Sequence, residues 1–479
     1  MRLIRASLLS LWLPLLLLAQ PKQQPPAKSL VFTHVTVIDA TGLSAKPDMT
    51  VVITGKRITA LGKTSDVRIP RDALVLNATG KFLIPGLWDM HVHIFNQVSR
   101  RAPNAWYFPL FIANGVTGVR EMGTKPENMT QVLEWRKQFS AGTVTLPRIA
   151  AVGTVVDGQP PTWPNTDTVA TPGEARRMVR KIKDAGVDFV KTYSNLSRAT
   201  YFAIVDEARK QNIPFAGHVP FAIGADEASS AGQRSMEHLN QLLETCSSKK
   251  QELLRVPAKD WTNAYDELML DTYDESKCRK LFSLLAENHT WQVPTLILKQ
   301  RNYFTADLRY LTESPRLKYV PADEQGTWKP YIARQKNLSA DERNLRIRMW
   351  HSYSALVKAM RHSRVEFMTG TDVGNEYIYP GFSLHDELVL LVKAGLSPME
   401  ALQAATRNPA KFLGLLDRLG TIEKGKLADL VLLDANPLEQ ISNTQRIYAV
   451  VLNGRLLPKL SLQKILTEVE ADVNKAKPR

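Results

Sequence analysis

Six residues whose side chains can bind a metal ion or carry a proton recur at the ends of apolar, strand-like runs. The runs read FLIPGLWDMHVH, GVDFVKTYS, IPFAGHVP, RSMEHLN and RVEFMTGTD, and the residues in them are His91, His93, Lys191, His218, His238 and Asp372. Only a barrel of parallel strands brings residues so distant in the chain to one face. The pattern therefore predicts a metal site assembled from the ends of several strands.

The spacing of these residues fits alternating strands and helices. Lys191 and His218 are 27 residues apart, and His218 and His238 are 20 apart, which is about the length of one strand–helix repeat. The interval from His238 to Asp372 leaves room for a strand without a ligand and for long insertions. We place three further strands at residues 115–121, 148–156 and 291–298. Together with the five runs, the last of which has its strand at residues 365–370, they give the barrel eight strands.

His91 and His93 form the sharpest local motif. Residues i and i+2 of a strand point to the same side, so the two imidazoles can bind one ion together. Neutral imidazole nitrogen is a standard zinc ligand at about 2.0–2.1 Å. An isolated pair of this kind is also compatible with two ordinary buried histidines, but the four further positions at strand ends favour a metal site.

The motif PGLWDMHVH, followed by a strand-end lysine, two single strand-end histidines and TGTD, resembles the amidohydrolase superfamily in its binuclear form. The stretches AGLSPMEALQAATRNPAKFLG and LGTIEKGKLADLVLLDANP agree, and the resemblance covers residues 30 to 457 or so. By pattern the chain is most similar to the imidazolonepropionase-like and prolidase-like branch, many of whose members hydrolyse peptide or amide bonds. The resemblance implies an α/β fold: a (β/α)8 TIM-like barrel with a small β-sandwich built from both chain ends.

Carried over by position, the resemblance implies two divalent metal ions, with zinc the expected metal. His91 and His93 would bind the more buried ion together with Asp372, and His218 and His238 would bind the more exposed ion.

Lys191 would bridge the two ions as a carbamate formed with carbon dioxide, because a free ammonium has no lone pair to donate. The alternative is a structural lysine tied to a nearby carboxylate. The two ions would lower the pKa of a bridging water and polarise the substrate carbonyl. Asp372 would take the proton of that water and pass it to the leaving group, the alternative being a purely structural ligand.

Three further residues are candidates for contacting the substrate. Arg120 ends the second strand and could meet an anionic group, unless it forms a structural ion pair. Tyr193 follows Lys191 by two residues, points the same way and could donate a hydrogen bond to the substrate. His385, in FSLHDEL, follows the last strand in a loop on the active-site face. It could contact the substrate or support a ligand, or it could be structural.

The rest of the chain is organised around the barrel. Its ends read as short alternating strands without a helical period. The predicted parts are a composite β-sandwich at 30–84 and 420–460, a barrel at 85–419 with insertions at about 244–290 and 299–350, and a tail at 461–479. We expect the second insertion to form a lid over the metals, the alternative being a solvated surface insertion.

The N-terminus reads as an export signal at residues 1–19, with a basic start, a short apolar run and a small residue at Ala19. The run is too short to span a membrane comfortably, and residues 20–29 read as a disordered leader. The expected location is periplasmic or extracellular. In such a compartment Cys246 and Cys278 could pair, or they could remain two buried thiols.

The composition fits a soluble globular enzyme, because 44% hydrophobic residues over 479 positions can form a large core. The net charge of +15 is dispersed, so it could attract anionic substrates. No aromatic-basic motif indicates nucleic acid as a partner. We expect a small-molecule or short-peptide substrate and no membrane span after signal removal, and leave open whether the chain forms a homo-oligomer.

Two classes of function fit these observations. The first is an exported binuclear hydrolase that cleaves an amide or peptide C–N bond with a metal-bridging hydroxide. Within enzymes, an esterase, lactonase or phosphotriesterase would use the same site. The second class is a non-catalytic metal-binding protein, whose mark would be a lost ligand, and none of the six positions has lost one.

Overall fold

The computed structural model describes residues 28–95, 103–164, 166–304 and 308–475. The predicted export signal, most of the leader and the last four residues of the tail lie outside these residues, so the export signal stays a prediction. Among the helices of the described ranges, none combines the length and the apolar character needed to cross a membrane.

The strands of the described residues form two sheets. They are β1 (Leu30–Val37), β2 (Lys46–Thr54), β3 (Arg57–Lys63), β4 (Leu74–Asn77), β5 (Phe82–Pro85), β6 (Leu87–Val92), β7 (Val116–Glu121), β8 (Arg148–Asp157), β9 (Asp167–Thr168), β10 (Phe189–Thr192), β11 (Phe215–Gly217), β12 (Ser235–Glu237), β13 (Trp291–Val293), β14 (Leu430–Leu433), β15 (Ile447–Leu452) and β16 (Arg455–Pro458).

The helices are distributed around the second sheet and in the insertions. They are α1 (Tyr107–Ala113), α2 (Met129–Ala141), α3 (Pro172–Asp184), α4 (Arg198–Lys210), α5 (Ala225–Ser230), α6 (Leu242–Cys246), α7 (Lys250–Leu253), α8 (Asn263–Asp271), α9 (Glu275–Glu287), α10 (Leu296–Tyr303), α11 (Arg309–Thr312), α12 (Ala322–Thr327), α13 (Lys329–Lys336), α14 (Ala340–His362), α15 (Phe382–Lys393), α16 (Pro398–Ala404), α17 (Arg407–Phe412) and α18 (Lys459–Lys475).

The first sheet is built from both chain ends. Its order is β16-β15-β14-β5-β1-β2-β3, with β4 paired to β1, so all eight strands belong to one hydrogen-bonded sheet. The two ends meet where β14 pairs with β5 and Leu432 lies opposite Leu83. These strands are rich in β-branched and large apolar residues, and their inward residues, Phe32 among them, form a core of their own. The predicted β-domain shared by both chain ends is confirmed.

The second sheet is the parallel wall of a barrel, in the order β13-β12-β11-β10-β8-β7-β6. Residues 365–370 close it, although they form isolated bridges where a regular strand was predicted. The backbone N–H of Gln292 donates to the carbonyl of Glu366, and that of Met90 donates to the carbonyl of Thr369. The segment therefore lies between β13 and β6, and the predicted TIM-like barrel is confirmed.

The strand predicted at residues 291–298 is shorter than expected. It ends at Val293, and helix α10 begins at Leu296. Pro294 has no N–H to continue the ladder, and Thr295 has a φ of 46°, in the left-handed region. The chain therefore turns into a helix at the rim of the barrel and brings the start of the second insertion close to the strand ends.

Long-range contacts hold the first insertion and the C-terminal helix in place. Cys246 and Cys278 form a disulfide between α6 and α9, so the first of the two alternatives for these cysteines is the one observed. The predicted tail contains helix α18, whose Val469 and Val473 pack against Leu110 of α1. The C-terminal segment is thus part of the packed structure.

Arg120 lies inside the barrel on β7 and is 1% exposed. Its guanidinium donates to both carboxylate oxygens of Glu237, at 2.9 and 3.0 Å, to Oγ of Ser235 at 2.9 Å and to the carbonyl of Met90 at 2.6 Å. The predicted contact of Arg120 with an anionic substrate is therefore wrong. The pleat of β7 turns its side chain into the closed interior, where it forms the structural ion pair.

Replacing Arg120 with Met should destabilise the fold by about 3–5 kcal/mol, because the Glu237 carboxylate would stay buried without its cation. Urea unfolding of the wild type and the variant measures the change. Arg198→Met is the matched control: it removes an exposed pair with Glu227 and should cost under about 1 kcal/mol. An unchanged unfolding midpoint in Arg120→Met, with a raised KM, would return Arg120 to a substrate-binding role.

Candidate metal centre

The structure brings the six sequence-predicted residues together at the carboxyl ends of the barrel strands. His91 and Lys191 lie on β6 and β10, while His218 and His238 directly follow β11 and β12. His238 and Asp372 have φ values of 62° and 60°, a left-handed conformation that costs energy for residues other than glycine. The chain turns sharply at these two positions, and the turns direct their side chains into the mouth of the barrel.

The ligand atoms of this cluster are close together. Those of His91, His238 and Asp372 all lie within 4.8 Å of one another. Nε2 of His93 lies 3.0 Å from Oδ1 of Asp372, and Nε2 of His91 lies 3.3 Å from the same oxygen. The ring of His218 lies edge-on to that of His238, with 4.8 Å between the centroids. The four imidazoles and the carboxylate thus surround one small space.

The orientation of His91 is set by a buried carboxylate. Its Nδ1 lies 2.8 Å from Oε2 of Glu237, and since an ionised carboxylate only accepts, Nδ1 carries the proton. Nε2 therefore presents a lone pair to the site. Glu237 was not predicted from the sequence, although it directly precedes His238. Neighbouring residues of a strand point to opposite faces, so the position of His238 gives no indication of the surroundings of Glu237.

Two other histidines are held in the same way by hydroxyl groups. Nδ1 of His218 lies 2.7 Å from Oγ of Ser194, and Nδ1 of His238 lies 2.7 Å from Oγ1 of Thr295. In each case the second ring nitrogen remains for the site. Burial lowers the pKa of both imidazoles well below the usual value, so both rings are neutral and can donate a lone pair.

Asp89 connects the segment that contains His91 to the segment that contains Asp372. Its carboxylate accepts hydrogen bonds from the backbone N–H and the hydroxyl of Thr371, at 3.0 and 2.6 Å, and from the backbone N–H of His91 at 3.2 Å. Burial raises the pKa of Asp89 to about 7. Asp89, in the DMHVH motif, was not predicted from the sequence as a functional residue. Its hydrogen bonds hold the segment of His91 beside that of Asp372.

Lys191 is fully buried, and its amine is directed at the histidines. Nζ lies 3.2 Å from Nε2 of His91, and within the described ranges no carboxylate forms an ion pair with it. Burial lowers the pKa of Lys191 to about 8, against the opposing charges of Asp372 and Glu237. The alternative of a lysine tied directly to a carboxylate is not what the structure shows.

These donors fit divalent cations. Oδ1 of Asp372 is buried and accepts no hydrogen bond of good geometry, although two imidazoles lie near it. Burial acts to raise the pKa of this carboxyl, but the neighbouring His91 and His93 hold it well below the usual value. An ionised, unsatisfied carboxylate oxygen beside imidazole nitrogens is a donor set that suits zinc and similar ions.

The cluster lies at the base of a pocket of about 360 Å³. Tyr193 lines this pocket, as its prediction as a substrate contact requires. It stacks on His218 with 3.9 Å between ring centroids, and its hydroxyl accepts a hydrogen bond from Nε1 of Trp163 at 2.7 Å. Lys299, Tyr303, Glu324 and Trp328 of the predicted second insertion contribute part of the wall. Closure of that insertion as a lid stays a prediction.

His385 does not line this pocket. It lies in helix α15 and is 1% exposed, with Nδ1 2.9 Å from Oγ1 of Thr444 and Nε2 3.1 Å from the carbonyl of Asn114. Both ring nitrogens are therefore used to join α15 to α1 and to the C-terminal segment. The prediction that His385 contacts substrate or supports a ligand is wrong, because the loop expected at this position is a buried helix.

Comparison with known proteins agrees with this geometry. The model of the Amidohydrolase family matches residues 82–457. The imidazolonepropionase of Rubrobacter xylanophilus is 40% identical over 87 residues, a match that spans 16% of this chain and about a fifth of that enzyme (21%).

Two solved structures share the fold. A bottromycin amidohydrolase superposes with a TM-score of 0.72 at 22% identity, covering 93% of this chain and 90% of that one. A Xaa-Pro dipeptidase with bound methionine superposes with a TM-score of 0.64 at 20% identity, covering 90% of this chain and 100% of that one. Since the family model spans the whole barrel and the strands of the β-domain that flank it, the chain belongs to the amidohydrolase family.

Proposed function

We propose that this amidohydrolase hydrolyses an amide or peptide C–N bond of a small substrate, using two divalent metal ions. The observation that carries the proposal is the position of Lys191, whose amine faces Nε2 of His91 and forms no ion pair with a carboxylate of the described residues. A lysine in this place suits a two-ion site. Two ions held by separate histidine pairs need an oxygen donor that bridges them, and a modified lysine between the pairs could supply it.

Distances within the cluster support a division of the ligands between two ions. His91, His93 and Asp372 would hold one ion, since both imidazoles approach the same carboxylate oxygen. His218 and His238, whose rings lie edge to face with 4.8 Å between the centroids, would hold the second. Zinc is the proposed metal, because imidazole and carboxylate donors suit it.

Lys191 would bridge the two ions as a carbamate. The neutral amine adds to the carbon of carbon dioxide and releases one proton, which leaves a carboxylate at the end of the side chain. Burial favours this reaction, because it lowers the pKa of Lys191 to about 8 and so raises the fraction of neutral amine at neutral pH.

The ions, Asp372 and Tyr193 would have separate roles in hydrolysis. Divalent ions bound here would polarise the substrate carbonyl and lower the pKa of a bound water. Asp372 is ionised, because its neighbours hold its pKa below the usual value, so it can accept a proton and pass it to the leaving nitrogen. Tyr193, which lines the pocket, would contact the substrate.

A substrate panel tests this function. The zinc-loaded protein would be assayed with dipeptides, N-acyl amino acids, lactones and a phosphotriester, and we expect the highest kcat/KM on an amide or peptide. Dialysis against a chelator should abolish the activity, and zinc should restore it. The double variant His91→Asn/His93→Asn controls for contaminating hydrolases. Turnover of lactones or the phosphotriester without any amide hydrolysis would reassign the site to those reactions.

Lys191→Ala should lose the bridge, lower the metal content and remove most of the activity. A short carboxylic acid such as formate or propionate should restore part of the activity, because it can supply the missing oxygen donor. Metal analysis and kcat measured side by side test this expectation. Lys191→Arg is the informative comparison, since a guanidinium forms no such carbamate. Full activity with both metals in Lys191→Arg would refute the bridge.

Asp372→Asn keeps the size of the side chain but removes its basicity. We expect kcat to fall by about two to four orders of magnitude, with amides suffering more than activated esters, because departure of an amine requires a proton and departure of an activated alcohol does not. Metal content must be measured in the same samples, since Asp372 is also a proposed ligand. Equal losses on both substrate types at full metal occupancy would show that Asp372 only holds metal.

A further inference from the structure

A second buried lysine, which is not among the proposed ligands, lies in the wall of the pocket. Lys299 is on helix α10, at the start of the second insertion, and is 7% exposed. It lines the same cavity as His218 and His238. Asn240, whose Oδ1 lies 3.5 Å from Nζ of Lys299, is only two residues beyond His238. The ammonium of Lys299 therefore lies in the part of the pocket that is next to the candidate metal centre.

The ammonium has donors to spare. It can donate three hydrogen bonds, and the contact with Asn240 is at the outer limit of a hydrogen bond. Two aromatic rings fix its position: Nζ lies 4.2 Å from the ring centroid of Tyr353 and 5.7 Å from that of Tyr303. Cation–π contacts of this kind stabilise the positive charge but leave the N–H groups available to donate hydrogen bonds to a ligand.

A purely structural role would be to balance nearby acidic groups. Glu244 and Asp266 act electrostatically on Lys299, but burial outweighs them and lowers its pKa to about 8. Neither carboxylate forms an ion pair with Lys299. Lys250, in the neighbouring insertion, shows what such a structural pair looks like in this protein, since its Nζ lies 2.6 Å from the carboxylate of Asp226.

The cavity limits what the ammonium could bind. Its volume of about 360 Å³ is near the lower end of the range for small-molecule sites. Aromatic side chains form part of the remaining wall, namely Phe95, Trp163, Tyr193 and Trp328, and polar side chains that include Asn302, Asn375, Glu324 and Glu376 form another part. A buried cation beside a group of aromatic rings suits a compact molecule that carries an anionic group and an apolar side chain.

We propose that Lys299 determines specificity by binding the free carboxylate of the substrate's amino-acid part. The substrate class is then N-acyl amino acids and dipeptides with an apolar residue, rather than neutral amides. The inference rests on the proposed amide hydrolysis and names its substrate class. A carboxylate in this place would complete charge-assisted hydrogen bonds in a site largely screened from water, where such bonds are strong.

The test measures acetate release from N-acetyl-L-phenylalanine and from its carboxamide, two probes that differ in the charge of one group. In Lys299→Met, kcat/KM for the acid should fall on the order of 10- to 100-fold, mainly through KM, while the carboxamide should change by less than about threefold. Lys299→Arg should keep most of the preference for the acid.

Lys329→Met is the matched control, since Lys329 is an exposed lysine of the same insertion and does not line the pocket. It should leave both substrates unchanged. Equal losses on the acid and the carboxamide in Lys299→Met, or a wild type that prefers the carboxamide, would overturn the proposal and assign Lys299 a structural role.

A binding measurement separates this proposal from the proposed hydrolysis. If the wild type released acetate from neither probe, calorimetry with N-acetyl-L-phenylalanine would be carried out on the zinc-loaded wild type and on Lys299→Met. Binding to the wild type that is lost in the variant would support the carboxylate site while the hydrolysis fails. Absence of binding to the wild type, or equal binding to both proteins, would overturn the carboxylate site itself.

Discussion

A buried chain of charges through the barrel interior sets the position of the whole site. Glu237 accepts from the guanidinium of Arg120 on one side and faces Nδ1 of His91 on the other. A single carboxylate thereby neutralises the arginine and fixes the tautomer of the histidine. Nε2 of His91 is then free to face Lys191 and Asp372. Without Glu237 the guanidinium would be unpaired, and the first proposed ligand would lose its orientation.

The sequence predicted the parts of this arrangement that follow from periodicity. Side chains at i and i+2 share a face of a strand, and parallel strands end at one rim, so the six residues at strand ends had to lie near one another in any closed barrel. The interior partners do not follow from periodicity. Arg120 was a candidate for binding the substrate and Glu237 was not singled out, because their pairing depends on which strands face each other across the barrel. His385 was misplaced for a related reason, because a loop was expected where helix α15 begins.

The sequence predicted which segment forms the pocket wall but not which of its residues line the pocket. The length and position of the second insertion indicated material over the rim, but which of its residues reach the pocket depends on where β13 ends. Pro294 and the left-handed Thr295 stop that strand early, and helix α10 then turns Lys299 into the cavity. The chain contains 62 lysines and arginines, and nothing in their spacing distinguishes Lys299. Its proposed role depends on its burial and on the lack of an ion pair with Glu244 or Asp266.

Burial explains how the site can hold cations at all. It keeps the imidazoles of His218 and His238 neutral and lowers the pKa of Lys191, while the neighbouring histidines keep Asp372 ionised. With a carbamate on Lys191, the residues would supply two negative charges and several lone pairs, fewer charges than two divalent ions carry. The remaining positive charge would be available to stabilise the negative charge that develops on the substrate during hydrolysis. A site with more carboxylates would bind the ions more tightly but leave less of their charge for that step.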